Sequence, residues 1–230
     1  MRLFCFPHAG VGASVYRPWP ADFGPTVEVF GIQPPGREGR FTEPPFTRLG
    51  PLLDALFPAI LPFLDRPFAF FGHSLGTLVS FELCRRLREA GHPLPLHLFV
   101  SGRRAAQWPL REECFHTLPD AALIEELRRY NGTPPEALAH AELMELMLPV
   151  LRADFAVHET YAYVDAPPLD LPISAFGGVS DETVPEERLA AWRHQTTRTF
   201  RCRMLPGDHF FVNGSRQAIT RAIAADLGLV

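Results

Sequence analysis

The chain has 230 residues, enough for one α/β domain or two small ones with a sizeable core. Hydrophobic residues make up 47% and charged residues 21%, the proportions of a water-soluble globular protein. A net charge of −4 with histidine neutral argues against a nucleic-acid partner, which calls for a basic footprint.

The N-terminal MRLFCFPHAG reads as a strand running into a polar turn. It lacks the long apolar core and small-residue cleavage site of a signal peptide. The longest apolar stretch, residues 52–64, is broken by Asp54, Pro58 and Pro62 and is too short to span a bilayer. A cytoplasmic protein that engages no membrane is therefore expected. Cys5, Cys84, Cys114 and Cys202 form no C-x-x-C pair and read as free thiols in or near the core. The nine histidines form no H-E-x-x-H set, so no metal is expected.

In chain order, residues 3–6 read as a short strand stopped by Pro7, followed by the small-residue loop His8-Ala9-Gly10-Val11-Gly12-Ala13. Residues 26–32 are a second strand, and 49–64 a helix with an internal proline. The continuous apolar run 68–71 suits a central strand covered on both faces. From 75 to 90 the apolar residues recur at helical spacing, which would put Arg85, Arg86, Arg88 and Glu89 in solvent, with Gly91 as a stop.

Residues 96–100 are another strand. The stretch 104–169 then turns helical, punctuated by Pro109, Pro119, Pro134, Pro135 and Pro149, with no convincing strand. Strand character resumes at 173–176, a helix follows at 186–194, and 199–205 alternates as a half-buried strand does. Residues 217–227 form the last helix. Strands alternating with helices predict an α/β fold, a sheet with helices on both faces, carrying one helical insertion.

Gly72-His73-Ser74-Leu75-Gly76 matches G-x-S-x-G and lies between a predicted strand and a predicted helix, the context of a nucleophile elbow. A strained turn there lifts the serine hydroxyl above the sheet, and flanking glycines remove colliding side chains. The helix beginning at Leu75 aims its first amides at the same point. A serine needs a base. His209, in Gly207-Asp208-His209-Phe210-Phe211, follows the last strand and is the candidate. His73 should diverge from the serine beside it, and His194 lies at a helix end.

The base in turn needs an acid. Asp181, just past the 173–176 strand, completes the order Ser, Asp, His of the α/β-hydrolase arrangement. Asp170 lies before that strand and Asp208 beside the histidine, which disfavours both. One oxyanion donor falls to the Leu75 amide, the other to the His8-Ala9-Gly10 loop, in which the His8 side chain suits an ordering role.

The sequence resembles the type II thioesterases of polyketide synthase and nonribosomal peptide synthetase pathways. The resemblance rests on Phe6-Pro7-His8-Ala9-Gly10, Pro35-Gly36-Arg37-Glu38-Gly39-Arg40, the serine elbow, Leu148-Pro149-Val150-Leu151-Arg152-Ala153-Asp154-Phe155, Phe176-Gly177-Gly178 with Asp181, and Gly207-Asp208-His209-Phe210-Phe211. It implies an α/β-hydrolase fold with a mostly parallel central sheet, a single domain spanning 1–230 and a helical lid inserted at about 105–168. It implies a catalytic triad of Ser74, Asp181 and His209, oxyanion donors from the amides of Ala9 and Leu75, and no cofactor. The implied substrate is an acyl thioester on the phosphopantetheine arm of an acyl or peptidyl carrier protein. That partner would bind transiently to a monomeric enzyme.

The sequence departs from the family at Val11, where a second glycine is common, so the backbone there should adopt an ordinary region. Met144, Met147 and Leu148 have helical spacing and suit either lid core or acyl contact. Arg152 and Asp154 read as lid-anchoring charges. Arg37 and Arg40 suit structural hydrogen bonding near their turn or, less readily, a phosphate of the arm. Three other functions remain open at this level: a generic esterase or lipase, an acyl-transferring or cyclising thioesterase, and a non-enzymatic binding protein on the same scaffold.

Overall fold

The computed structural model describes residues 1–109, 114–130, 132 and 135–230. The elements are β1 (Arg2–Phe6), α1 (Pro20–Phe23), β2 (Glu28–Gly31), α2 (Leu49–Ile60), β3 (Phe68–His73), α3 (Leu75–Glu89), β4 (Leu98–Ser101), α4 (Asp120–Tyr130), α5 (Pro135–Ala139), α6 (Ala141–Glu159), β5 (Ile173–Gly178), α7 (Glu186–Ala190), β6 (Phe200–Leu205), α8 (Phe211–Gly214) and α9 (Arg216–Asp226). All six strands pair in parallel, in the order β2-β1-β3-β4-β5-β6. The expected mostly parallel sheet is thus wholly parallel among the described residues.

Strand parity sorts the core. Phe68 and Phe70 of β3 join Phe4 and Phe6 of β1, with Leu78 and Leu83 of α3, on one face. Ala69 and Phe71 join Leu3 and Cys5, with Ile219 and Ile223 of α9, on the other. Successive strand residues point to opposite faces, so a strand covered twice must be apolar throughout. Each fully buried Phe or Leu contributes roughly 1.5–3 kcal/mol by leaving water.

Three local expectations change. Arg85 does not face solvent; it is buried, paired with Glu82 and donating to the Val164 carbonyl at 2.7 Å. Its aliphatic stem and planar head cover Phe81 and Tyr163, a packing role open to a long amphipathic side chain. Pro149 does not punctuate the insertion but lies on the exposed side of α6. Cys5 and Cys84 are buried free thiols as expected, but Cys114 is exposed. Among the described residues no helix is long and apolar enough to cross a membrane.

The segment between β4 and β5 carries α4, α5 and α6. Leu123, Leu127 and Leu138 meet Met144, Leu148 and Leu151 of α6 in a cluster separate from the sheet core. Farther along α6, Val157 enters the sheet core itself. The joint is electrostatic. Asp154 of α6, buried, accepts from Arg37 Nη1 at 2.5 Å and Nη2 at 2.9 Å, and from the Gly10 amide at 2.8 Å. Arg37 is therefore committed to Asp154, while Arg40 is exposed and pairs with Glu43.

Removing one partner of a buried pair strands the other. Asp154→Ala should cost about 3–5 kcal/mol of stability, read as a lowered denaturant midpoint at unchanged slope. Replacing both Arg37 and Asp154 with apolar residues should cost less than the single change. Hydrogen exchange should also be faster in α4 than in β3, because the insertion's cluster is small and the strand is buried on both faces. Equal protection would contradict that ordering.

Candidate active site

The chain's turn from β3 into α3 makes the site's first part. Ser74 sits there at φ 53° and ψ −111°, a conformation that costs a non-glycine residue on the order of 1–3 kcal/mol. Local hydrogen bonds impose it. The Ser74 amide donates to the Ser101 carbonyl at 2.8 Å, and its carbonyl accepts from the Thr77 amide at 3.1 Å. The Thr77 hydroxyl bridges the Gly72 and Ser101 carbonyls at 2.7 and 2.9 Å. A Cβ on Gly72 would collide with the Gly76 carbonyl, and one on Gly76 with the Phe6 carbonyl. The two glycines let α3 start in contact with β1 and β3.

The second part comes from the ends of β5 and β6. The Val179 and Ser180 amides donate to the Leu205 and Gly207 carbonyls at 2.8 and 2.9 Å, which ties the two loops together. Gly178 has no room for a side chain against the backbone of Asp208. This brings His209 over the serine: His209 Nε2 lies 3.1 Å from Ser74 Oγ, and His209 Nδ1 lies 2.7 Å from Asp181 Oδ2.

The remaining Asp181 oxygen accepts from the Thr183 hydroxyl at 2.6 Å and from the Thr183 and Val184 amides at 2.9 and 3.2 Å. Burial pushes the Asp181 carboxyl up, but the hydrogen bond and charge of His209 and the Thr183 donors outweigh it and hold the group below its ordinary range. The rejected acids are elsewhere. Asp208 accepts from the Phe210 amide at 2.9 Å, and Asp170 pairs with Arg198 on the surface.

His73 diverges from the serine, as its position in the strand requires. It is fully buried with Nδ1 2.9 Å from the Ser101 hydroxyl. His8 places Nδ1 3.1 Å from the Ala9 carbonyl and packs edge-on to His73 and Phe210. Ala9 and Leu75 line one cavity with Ser74 and His209. Gly10 takes the positive φ of the early loop, 81°, and a Cβ there would meet Leu151 at 2.6 Å. Val11 takes an ordinary backbone conformation, which is how the loop accommodates a residue other than glycine.

Two cavities meet at Ser74 and His209. The first also carries Arg103, Arg104, His158 and Glu159. The second is mainly apolar, with Val11, Leu127, Met147, Leu151 and Phe155 in its wall. Of the three lid residues singled out in the sequence, Met147 lines this cavity, whereas Met144 and Leu148 pack in the insertion's own core. Leu151 and Phe155 were not singled out as contacts, although Met147, Leu151 and Phe155 recur every four residues on α6 and so share one face. Thr77 left no such signal, because its bond to the Ser101 carbonyl joins residues 24 apart, whereas Thr183 lies two residues past Asp181, a spacing that could have found it.

Spacing also concealed a meeting of Cys114, His116 and Glu159, whose ligating atoms lie within 4.8 Å of one another. Glu159 is already engaged there. It accepts from the Phe115 and His116 amides at 2.8 and 3.2 Å and contacts the His116 ring. It thereby caps the short 3-10 turn Phe115–Thr117.

This geometry agrees with what the chain is similar to. The thioesterase domain family matches residues 1–227. Gramicidin S biosynthesis protein GrsT of Aneurinibacillus migulanus is 46% identical over 230 residues, covering 100% of this chain and 90% of that one. The RedJ thioesterase from the prodiginine biosynthetic pathway in Streptomyces coelicolor superposes with a TM-score of 0.93 at 40% identity, covering 98% of this chain and 89% of that one. The type II thioesterase BorB from the borrelidin biosynthetic cluster gives a TM-score of 0.90 at 37% identity, with 97% and 91% covered. An elbow serine on a parallel α/β sheet and a family match over nearly the whole chain lead to one conclusion: the chain belongs to the thioesterase domain family and has the α/β-hydrolase fold.

Proposed function

We propose that this protein is a type II thioesterase that hydrolyses aberrant or stalled acyl thioesters from the phosphopantetheine arm of acyl or peptidyl carrier proteins. The observation that carries the reading is the unbroken line from Ser74 Oγ through His209 to Asp181, opening onto an apolar cavity under α6. The biosynthetic settings named for GrsT, RedJ and BorB support the carrier-bound substrate.

The proposed chemistry proceeds in two halves. Ser74 Oγ attacks the thioester carbonyl while His209 Nε2 takes its proton. Asp181 keeps the Nδ1 proton of His209 in place and stabilises the imidazolium. The amides of Ala9 and Leu75 receive the negative charge on the carbonyl oxygen. Collapse breaks the C–S bond, and the departing sulfur takes the proton from His209. Water then gives a proton to His209 and attacks the acyl-serine. The carboxylic acid leaves, and the proton returns to Ser74. The reaction calls on protein groups alone and asks for no cofactor or metal.

The helical insertion, about residues 105–168, acts in this reading as a lid whose inner face holds the acyl chain. The enzyme works as a cytoplasmic monomer and meets its carrier transiently. Both proteins are acidic overall in this picture, so docking relies on a local basic or apolar patch near the cavity mouth.

Ser74→Ala and His209→Ala should each lower kcat/KM by at least about 10³-fold, and Asp181→Asn by a similar order. Asp208→Asn should stay near wild type. Intact-mass trapping should find the acyl group on Ser74. Acyl on another residue, or a silent Asp181→Asn beside a crippled Asp208→Asn, would overturn the assignment. For the substrate class, the same acyl group should be hydrolysed with higher kcat/KM on a carrier protein than on a free pantetheine thioester, with salt titrated for both. Equal efficiency would point to a general esterase.

A further inference from the structure

Phe210 stands beside His209 yet has no part in the reaction above. Its neighbour Phe211 is 2% exposed and packs with Ile219 and Ile223 of α9 in the sheet core. Phe210 is half-buried and, among the described residues, belongs to no core cluster. Its backbone is nonetheless fixed. The Phe210 amide donates to Asp208 Oδ1 at 2.9 Å, and its carbonyl accepts from the Asn213 amide at 3.0 Å. Burial of a phenyl ring is strongly favourable, so a ring left partly out of the core on a fixed turn points to a use elsewhere.

The surroundings of the ring show that use. It lines the apolar cavity that also holds Ser74 and His209. Its centroid lies 5.2 Å from that of His209 and 5.2 Å from that of His8, edge-on to both. His209 Nε2 is in turn 3.1 Å from Ser74 Oγ. The ring is therefore one side chain away from the oxygen to which the acyl carbon would bond. Its far edge meets the insertion. A Cβ on Gly132, between α4 and α5, would fall 2.0 Å from Phe210 Cζ. Only a hydrogen fits there. The ring and Gly132 thus make one continuous stretch of wall, while Met147, Leu151 and Phe155 of α6 supply another.

We propose that Phe210 is a specificity-determining residue that limits the bulk of the acyl group next to the thioester carbonyl, and that position 132 must be glycine for its ring to reach across. The proposal rests on the thioesterase reading above and deepens it, because the residue selects among acyl groups on one and the same arm. A slim, unbranched acyl group is the favoured class. A group that carries a ring or a branch close to its carbonyl competes with Phe210 for the same space.

The test exchanges a ring on the protein for a ring on the substrate. Butyryl- and phenylacetyl-S-N-acetylcysteamine share a leaving thiol and differ in acyl bulk. Wild type should favour butyryl in kcat/KM. Phe210→Ala should raise the phenylacetyl-to-butyryl ratio by at least about tenfold, the scale on which an apolar pocket discriminates by size. The ratio is the readout, because a disturbed His209 would lower both rates alike. Phe210→Leu removes the far edge of the ring but stays apolar; it should raise the ratio less, and it decides the matter should the alanine variant not fold. Gly132→Ala should shift the ratio in the wild-type background and leave it unmoved when added to Phe210→Ala, where the atoms it would strike are gone.

An unchanged ratio in the folded variants, or an equal loss on both thioesters, would overturn the proposal in favour of a structural role beside His209. A lowered ratio in Phe210→Ala would overturn it too, since the ring would then be holding bulky acyl groups rather than excluding them. Additive effects at 132 and 210 would remove glycine's part in it. Failure of wild type to hydrolyse any thioester would instead refute the function proposed above, so the two failures are distinguishable.

Discussion

The first turn of α3 approaches the sheet so closely that only glycine fits at 72 and 76, and the rest of the site depends on that constraint. With both glycines in contact with backbone carbonyls, the chain must reverse within a few residues of β3. Ser74 absorbs the strain at φ 53°. The same contact sets the neighbours. β1 lies against β3, so the loop after β1 faces the serine, and the ends of β4, β5 and β6 follow along one edge. Parallel strands direct all their carboxyl ends the same way. The loops carrying Ala9, Ser74, Arg103, Asp181 and His209 therefore gather without any long excursion of the chain.

A second coupling crosses from the insertion to that edge. One carboxylate, Asp154, holds both Arg37 and the Gly10 amide. The Gly10 amide is one residue from Ala9, so the shape of the early loop is set by a residue of α6. Leu151 of the same helix occupies the space beside Gly10 that a side chain there would need. Apolar packing and a charged hydrogen bond thus act on one short loop from one helix. Movement of α6 cannot be independent of the groups that would receive an oxyanion, which gives a physical route from cavity occupancy to reactivity.

Much of this was legible in the sequence where the physics is local. The apolar run at Phe68 to Phe71 signals a strand covered twice, and the glycines around Ser74 and before Asp181 mark backbone approaches that no larger residue permits. Chain order put Ser74, Asp181 and His209 just past the predicted strands that are β3, β5 and β6. What escaped is tertiary. Arg85 looks solvent-facing from its helical neighbours, yet Tyr163 and the Val164 carbonyl, far along the chain, cover it. Pro149 reads as a breaker, but its ring falls on the open side of α6. Arg203 alternates outward from β6 as expected, while its partner Asp226, in the last helix, could not be inferred from alternation. Cys114 and Glu159 meet only because a turn folds back on α6.

The electrostatics around His209 complete the picture. Three other imidazoles crowd this region, at His8, His73 and His158. Burial lowers the pKa of His8 to about 4 and pushes those of His73 and His158 well down. All three are neutral where the enzyme would work, so a proton arriving on His209 meets polarisable rings rather than fixed charges of the same sign. Asp181 holds the opposite charge at 2.7 Å, in a setting that keeps it ionised. The positive charge of Arg103 is the exception: it is paired with a neutral ring and has a donor unused.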